Sequence, residues 1–109
     1  MQSWNLMEVA APAGTREPVV VHSGNEARAV LIVLNPGQEL GDHQVKENAW
    51  VTVLEGQVEV SAGEETVAAE AGSLFRFDPD ERHSLRSGDG ARILLLLAPW
   101  PGAGHYRGG

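Results

Sequence analysis

The four histidines, His22, His43, His83 and His105, are the side chains in this sequence with the clearest chemical potential. Imidazole titrates near neutral pH and is a common metal ligand, so a histidine pair can hold a metal ion, move a proton or orient a bound molecule. His43 opens the stretch 43-HQVKENAWVTVLEG-56. Because side chains alternate along an extended backbone, residues 43, 45, 47 and 49 are predicted to share one face. The carboxyl group of Glu47 is then expected on the same face as His43.

The segments that must position these histidines are short and rich in strand-forming residues. They are separated by Gly, Pro, Asn and Asp at intervals of roughly ten residues, which is typical of a sandwich or barrel. The predicted strands are 18–23, 28–34, 49–55, 57–62, 65–70, 73–77, 82–86 and 91–98. Glu55 and Gly56 predict a hairpin turn, because glycine adopts a positive φ without a Cβ penalty. A small antiparallel barrel or jelly roll is the predicted architecture, since it closes or covers its sheet edges.

Length and composition limit the classes of protein to which the chain can belong. It has 109 residues, 42% hydrophobic and 21% charged, which indicates one globular domain rather than a disordered chain. The formal net charge is -7 and the basic residues are scattered, so we expect no nucleic-acid partner. Cysteine is absent, so the chain can form no disulfide and supplies no thiolate ligand. The longest apolar run, 93–98, is too short to cross a bilayer, so we expect no membrane partner. The N-terminus does not resemble a secretory signal, and the expected location is cytoplasmic.

Two segments resemble the sequence motifs of the cupin family. Residues 37–56, GQELGDHQVKENAWVTVLEG, resemble the first motif, G-x5-H-x-H-x3,4-E-x6-G. Residues 72–87, GSLFRFDPDERHSLRS, resemble the second motif, G-x5-P-x-G-x2-H-x3-N. With its flanking strands the resemblance covers about residues 18–98. It implies an all-β fold, the small antiparallel cupin barrel also described as a double-stranded β-helix or jelly roll, and the chain is similar to small single-domain bacterial cupins.

The resemblance places histidine at some of the family's metal-ligand positions and apolar residues at others. The first histidine position falls on His43 and the histidine of the second motif falls on His83. The other histidine position falls on Val45, and the glutamate position falls on Ala49. Cupin enzymes typically hold a divalent metal such as iron, manganese or nickel with three histidines and a carboxylate. Two neutral imidazoles alone make a weak site, so a divalent transition metal is expected to be weakly held or absent.

In the second motif, the turn before the histidine is altered. Asp78 occupies the proline position with Pro79 beside it, and Asp80 occupies the glycine position. Ser87 occupies the asparagine position that ends the motif. The resemblance therefore implies a turn of changed sequence that still leads into His83.

Three roles for the histidine pair are open from the sequence. With Glu47 as third ligand, the pair would form the centre of a metal-dependent oxygenase, isomerase or lyase; Gln44 and Glu39 are weaker substitutes. Without a metal, it would be a general acid/base or ligand-orienting pair in a pocket that binds a small organic molecule. Alternatively, both histidines are core residues that are satisfied by hydrogen bonds.

The small-molecule pocket is the function that we favour on the sequence, and its remaining residues follow from the same alternation. Val45, Ala49 and Val51 would form an apolar wall, and Ser87 would supply a hydroxyl near the histidines. The enzyme hypothesis needs a third ligand or a proton-transfer role, whereas the binding hypothesis needs only the pocket.

The predicted organisation of the chain has three parts. Residues 1–17 form an N-terminal tail or extra strand, residues 18–98 form the barrel, and residues 99–109 form a C-terminal tail. Trp50 and Leu54 alternate away from the face of His43, so they are expected to point outwards. Together with an exposed sheet edge, they predict a homodimer in which the segment 1–17 pairs across the contact.

Overall fold

The computed structural model describes residues 1–10 and 18–103, and it describes Asp42 by its backbone only. Within those ranges the chain contains eight β-strands and no helix. The strands are β1 (Val19–Ser23), β2 (Arg28–Leu34), β3 (Glu39–His43), β4 (Asn48–Ala62), β5 (Glu65–Glu70), β6 (Leu74–Phe77), β7 (His83–Arg86) and β8 (Ala91–Ala98). All of their pairings are antiparallel. The all-β antiparallel prediction is confirmed. Over the described ranges, no helix is long and apolar enough to cross a membrane.

The long strand β4 connects two sheets. Its first half pairs with β6 and β8, and its second half pairs with β5 and β7. One sheet therefore runs in the order β1-β2-β8-β4-β6, and the other runs in the order β3-β7-β4-β5. The two sheets share β4 and curl towards each other, which gives the jelly-roll arrangement.

The predicted hairpin at Glu55 and Gly56 is wrong, because β4 continues through both residues. A β-bulge lies between Val53 and Glu55 in the pairing with β8, and Gly56 has a φ of 84°. A Cβ at Gly56 would clash with the backbone oxygen of Gly90. The positive φ of Gly56 therefore serves a bulged bend and a close backbone approach rather than a turn.

Strand β3 is not among the strands predicted from the sequence, and it is one of the two strands that carry the histidines. Its sequence, ELGDH, contains no Val, Ile, Thr, Phe, Tyr or Trp, so local propensity does not indicate a strand. It pairs with β7, where Leu40 faces Leu85 and His43 faces His83 across the ladder. Tertiary pairing with β7 thus determines this strand.

The core lies between the inward faces of the two sheets. Alternate residues of β2, β4 and β8 point into it, as period-two patterning requires. Fully burying one such aliphatic side chain contributes about 1.5–3 kcal/mol relative to leaving it exposed. The larger members of the core are Val30, Ile32, Leu34, Val51, Val53, Val58, Val60, Phe77, Leu85, Ile93 and Leu97.

The N-terminal residues lie against the outer face of the first sheet. Arg92, which alternates outwards on β8, donates hydrogen bonds to the backbone oxygens of Leu6 (2.9 Å) and Val9 (3.0 Å). Leu31, on β2, is completely buried although it does not belong to the core cluster. Residues 1–10 form a turn-containing segment rather than a strand. The remainder of the predicted tails, residues 11–17 and 104–109, lies outside the described residues.

Candidate functional site

The fold brings the two histidines that were singled out in the sequence into direct contact. His43 is the last residue of β3 and His83 is the first residue of β7, and the two are cross-strand partners. Their ring centroids are 4.2 Å apart, with an angle of 61° between the ring planes. Since cross-strand partners point to the same face of a sheet, residues 40 positions apart in sequence form one site.

Backbone carbonyls define the tautomer of both neutral rings. The Nδ1 atom of His43 lies 2.8 Å from the backbone oxygen of Gly41, and Nδ1 of His83 lies 3.0 Å from that of Glu81. A carbonyl oxygen only accepts hydrogen bonds, so Nδ1 must carry the proton in each ring. In the neutral form of each histidine, Nε2 is then the acceptor nitrogen.

The two histidines differ in their burial. His83 is only 2% exposed, and its ring stacks on that of Phe77 at a centroid distance of 4.0 Å with 7° between the planes. His43 is half-buried and packs edge-on against His83. His83 is therefore the inner member of the pair, and His43 is the outer member.

Beside the histidines lies a small cavity with an apolar wall. It leaves about 10 Å³ of room for the centre of a water molecule, which is close to the minimum for holding a single water. Apart from His43 and His83, the cavity is lined by Ile32, Leu34, Leu40, Val51, Leu85, Ile93 and Leu95. Two imidazoles on an apolar wall make a site that is suited to a small ligand with one polar end.

The structure distributes the other predicted pocket residues differently. Val51 lines the cavity, as the alternation along β4 predicts. Ala49 is buried in the core between Phe77 and Leu97, its cross-strand partners. Val45 is half-buried in the loop between β3 and β4 and packs against the core. Neither Ala49 nor Val45 is among the residues that line the cavity.

Ser87 lies apart from the histidines. Its hydroxyl is buried and donates a hydrogen bond of 2.6 Å to the backbone oxygen of Gln57. It borders an open groove at the second sheet, together with Gly37, Glu59, Glu70 and Asp89. The hydroxyl of Ser87 therefore links the residue that follows β7 to strand β4. The imidazoles instead form hydrogen bonds with the backbone oxygens of Gly41 and Glu81.

Glu47 occupies a different environment from the one that strict alternation implies. β3 ends at His43 and β4 begins at Asn48, so residues 44–47 form a loop and the face argument does not extend across them. The carboxylate of Glu47 is buried at 1% exposure, and its Oε2 accepts a hydrogen bond of 2.8 Å from the backbone N–H of Gly102. Gln44 and Glu39, the weaker substitutes, are exposed.

The donor set does not fit a complete divalent-metal centre. Among the residues that the structure describes, no group of three or more His, Cys, Asp or Glu side chains is arranged to hold a metal ion. Protein sites for transition metals usually supply three or four ligands. The role of Glu47 as a third ligand stays a prediction from the sequence.

Three neighbours of the histidines were not singled out in the sequence. Phe77 was placed on a predicted strand, and alternation along 73-SLFRF-77 would have indicated that it points inwards. Gly41 and Glu81 act through their backbone oxygens, for which side-chain identity carries no signal.

A third histidine, His22, lies outside the site. The hydrogen bond from its Nε2 to Glu26, 2.9 Å long, lowers the pKa of that exposed carboxyl.

Comparisons with known proteins agree with this architecture. Residues 30–98 match the family model described as "Cupin domain". A Klebsiella pneumoniae protein with a double-stranded β-helix domain is 22% identical, with a TM-score of 0.81 over 94% of each chain. A protein from Thermus thermophilus is 26% identical, with a TM-score of 0.80 over 91% of this chain and 98% of that chain.

A third solved structure is similar over nearly the same extent. It is an rmlc-like cupin protein from Desulfovibrio desulfuricans, 27% identical, with a TM-score of 0.79 over 91% of this chain and 97% of that chain. None of the curated proteins that were compared matches the chain. The comparisons therefore support the fold and the family, and they assign no ligand.

Proposed function

This chain belongs to the cupin family, and from that premise we propose that it binds a small organic molecule in the barrel interior at the His43–His83 pair. The observation that carries the proposal is the cross-strand contact of the two rings, 4.2 Å apart, beside an apolar cavity. Both Nδ1 atoms bind backbone oxygens, so in the neutral rings both Nε2 atoms are hydrogen-bond acceptors. A ligand with a compact apolar body and an O–H or N–H donor suits this combination.

The size of the cavity limits the ligand. About 10 Å³ of room accommodates about one water, so a phenol or a short alcohol requires the site to widen. His43, which is half-buried at the end of β3, is the side chain best placed to move, because His83 is stacked on Phe77. We therefore propose small ligands that enter past His43, rather than a large substrate held in a preformed pocket.

A screen by ligand-observed NMR with small phenols and short alcohols tests this function. We expect at least one of these probes to bind the wild-type protein and to lose binding in His43→Ala, because that substitution removes an acceptor nitrogen. His22→Ala is the matched control, since His22 is likewise a partly exposed histidine but lies outside the cavity, beside Glu26 and Trp4. Binding that survives in His43→Ala, or a screen without any binder, would refute the proposal and favour a hydrogen-bonded core pair.

A further inference from the structure

The ends of several strands place the histidines at one end of the barrel. His43 ends β3 and faces His83, which begins β7. Asn48 begins β4 and faces Ala98, which ends β8. Three segments therefore emerge at this end: the loop 44–47, the loop 78–82 and the residues that follow β8. We call residues 99–103 the C-terminal strap.

The two loops are connected to each other. The backbone N–H of Asp80 donates a hydrogen bond of 2.7 Å to the backbone oxygen of Val45. The Lys46 Nζ and Asp80 Oδ1 atoms form an ion pair of 2.8 Å. Each loop joins directly to one of the histidines, so a movement of loop 44–47 changes the surroundings of both.

A buried contact joins the C-terminal strap to loop 44–47. The Glu47 carboxylate accepts the N–H of Gly102 at 2.8 Å, and both residues are buried. A Cβ at Gly102 would lie 2.6 Å from the backbone oxygen of Lys46 and 3.1 Å from Cγ of Glu47. Glycine is thus needed for this approach, and a hydrogen bond to the carboxylate offsets part of the cost of burying it.

Trp100 also holds the strap: its ring is partly buried and packs against the hydrophobic core. The Trp100 N–H lies 3.4 Å from the backbone oxygen of Asn25, at the long end of hydrogen-bond distances. The Arg28 guanidinium lies 4.5 Å from the centroid of the Trp100 ring. By contrast, β8 is paired along its length with β2 on one side and β4 on the other. Opening is therefore expected to begin beyond the end of β8, where the ladder stops, and it must overcome the packing of Trp100 as well as the hydrogen bond between Glu47 and Gly102.

We infer that the C-terminal strap is a latch that controls access to His83, closed by the contact between Glu47 and Gly102. When the latch opens, loop 44–47 is released from the strap, and the cavity beside the histidines widens enough to admit a molecule larger than water. This inference rests on the proposed function, because a latch matters only if the cavity takes a ligand. It gives the buried Glu47 the role of a positioning residue that acts through the backbone of the strap.

Acylation of the full-length protein by diethyl pyrocarbonate tests the latch without any ligand. The reagent modifies neutral imidazole nitrogen, and peptide mass spectrometry resolves each histidine. In the wild type, His22 is expected to react much faster than the buried His83. In Glu47→Ala and in Gly102→Ala, His83 is expected to react about tenfold faster, because a hydrogen bond to a buried acceptor is worth about that factor in an equilibrium.

Matched controls separate latch opening from general destabilisation. Glu47→Gln keeps an oxygen acceptor for the Gly102 N–H and should leave His83 nearly as slow as in the wild type. Gly88→Ala places the same substitution at a glycine with open space around its Cβ position and should change nothing. The reactivity of His22 and the amide exchange of β4 and β8 should stay at wild-type values in every variant.

Several results would overturn the inference. They are an unchanged rate at His83 in Glu47→Ala and Gly102→Ala, an equal increase in Gly88→Ala, or an increase that is matched by faster amide exchange throughout β4 and β8. If the latch variants do not fold, amide exchange in the wild type decides: the Gly102 amide must exchange about a hundredfold faster than core amides such as that of Ile93, and equal rates refute a separate opening. Because acylation needs no ligand, failure here is distinct from failure of the NMR screen.

Discussion

His43 and His83 carry the same functional group in two environments, and their substitutions should therefore have unequal effects on stability. Replacing His83 by alanine removes a buried ring that stacks on Phe77 and leaves the backbone oxygen of Glu81 without its imidazole donor. We expect His83→Ala to lower the free energy of unfolding by about 2–4 kcal/mol. His43 is half-buried, so His43→Ala should cost about 1 kcal/mol or less.

Urea denaturation of the two variants beside the wild type measures this difference. His22→Ala serves as the surface control and is expected to cost less than about 0.5 kcal/mol. Equal losses for His43→Ala and His83→Ala would contradict the assignment of inner and outer rings. The ligand screen can use His43→Ala only if this variant is stably folded.

Asp80 adopts a backbone conformation that usually favours glycine. Its φ is 65°, and it occupies the position that the motif resemblance assigns to glycine. Aspartate tolerates this left-handed region better than most residues, whereas alanine does not. We expect Asp80→Ala to destabilise the protein by about 1 kcal/mol, while Asp80→Gly stays within about 0.5 kcal/mol of the wild type.

The exposed ion pair of Asp80 with Lys46 needs a separate control. Both side chains are about half exposed, so the pair contributes little to stability. Asp80→Asn removes the charge but keeps a residue that tolerates positive φ, and it should resemble Asp80→Gly in thermal melts. If Asp80→Asn were as destabilised as Asp80→Ala, the ion pair rather than the backbone would be responsible.

At the scale of single elements, the bend of β4 is the feature on which the two sheets depend. Gly56 combines a φ of 84° with a backbone approach that leaves no space for a Cβ beside Gly90. We expect Gly56→Ala to cost about 3 kcal/mol or more, because backbone strain and a backbone clash act together. The expected measurement is a lower midpoint in chemical denaturation.

Gly63 provides the matched comparison for this element. It also has a positive φ, 61°, but a Cβ there would meet no atom within 4 Å. Gly63→Ala should therefore cost only the backbone strain, about 1 kcal/mol. Similar losses at Gly56 and Gly63 would show that the close approach to Gly90 adds nothing.

At the scale of the whole molecule, the homodimer that the sequence predicts has an apolar surface available. On the outer face of the first sheet, Trp50 is 38% exposed on β4 and Leu74 is 59% exposed on β6. Trp50 and Thr52 lie two residues apart on β4, so they point to the same side of the sheet. Leu74 is the cross-strand partner of Thr52, and Trp50 and Leu74 therefore share that outward side. We expect light scattering at micromolar concentration to give the mass of a dimer, because exposed aromatic and leucine side chains gain from mutual burial.

Two arginine substitutions, one on each sheet, test whether the surface around Trp50 forms the dimer contact. Trp50→Arg should shift the protein to a monomer. Val67→Arg, at a residue that is 40% exposed on β5 of the other sheet, should leave the dimer intact. A monomeric wild type, or dissociation by Val67→Arg alone, would contradict the predicted contact.

The sequence by itself determined the class of fold and the identity of the two central residues. Alternating apolar residues and regularly spaced turn formers were sufficient to place most strands, because period-two patterning is a local signal. The motif resemblance was sufficient to single out His43 and His83, although they lie 40 positions apart. The apolar wall at Val51 also followed from alternation, since Val51 lies within an unbroken strand.

Only the tertiary structure decided how the segments around those residues are used. β3 exists because it pairs with β7, and Gly56 lies in a bend because Gly90 packs against it. Side-chain alternation would place Glu47 on the same face as His43, but residues 44–47 form a loop. In that loop the carboxylate of Glu47 accepts a hydrogen bond from the backbone N–H of the distant Gly102. Strand ends, bulges and the partners of buried polar groups depend on contacts between residues far apart in sequence, and local patterning carries no information about those contacts.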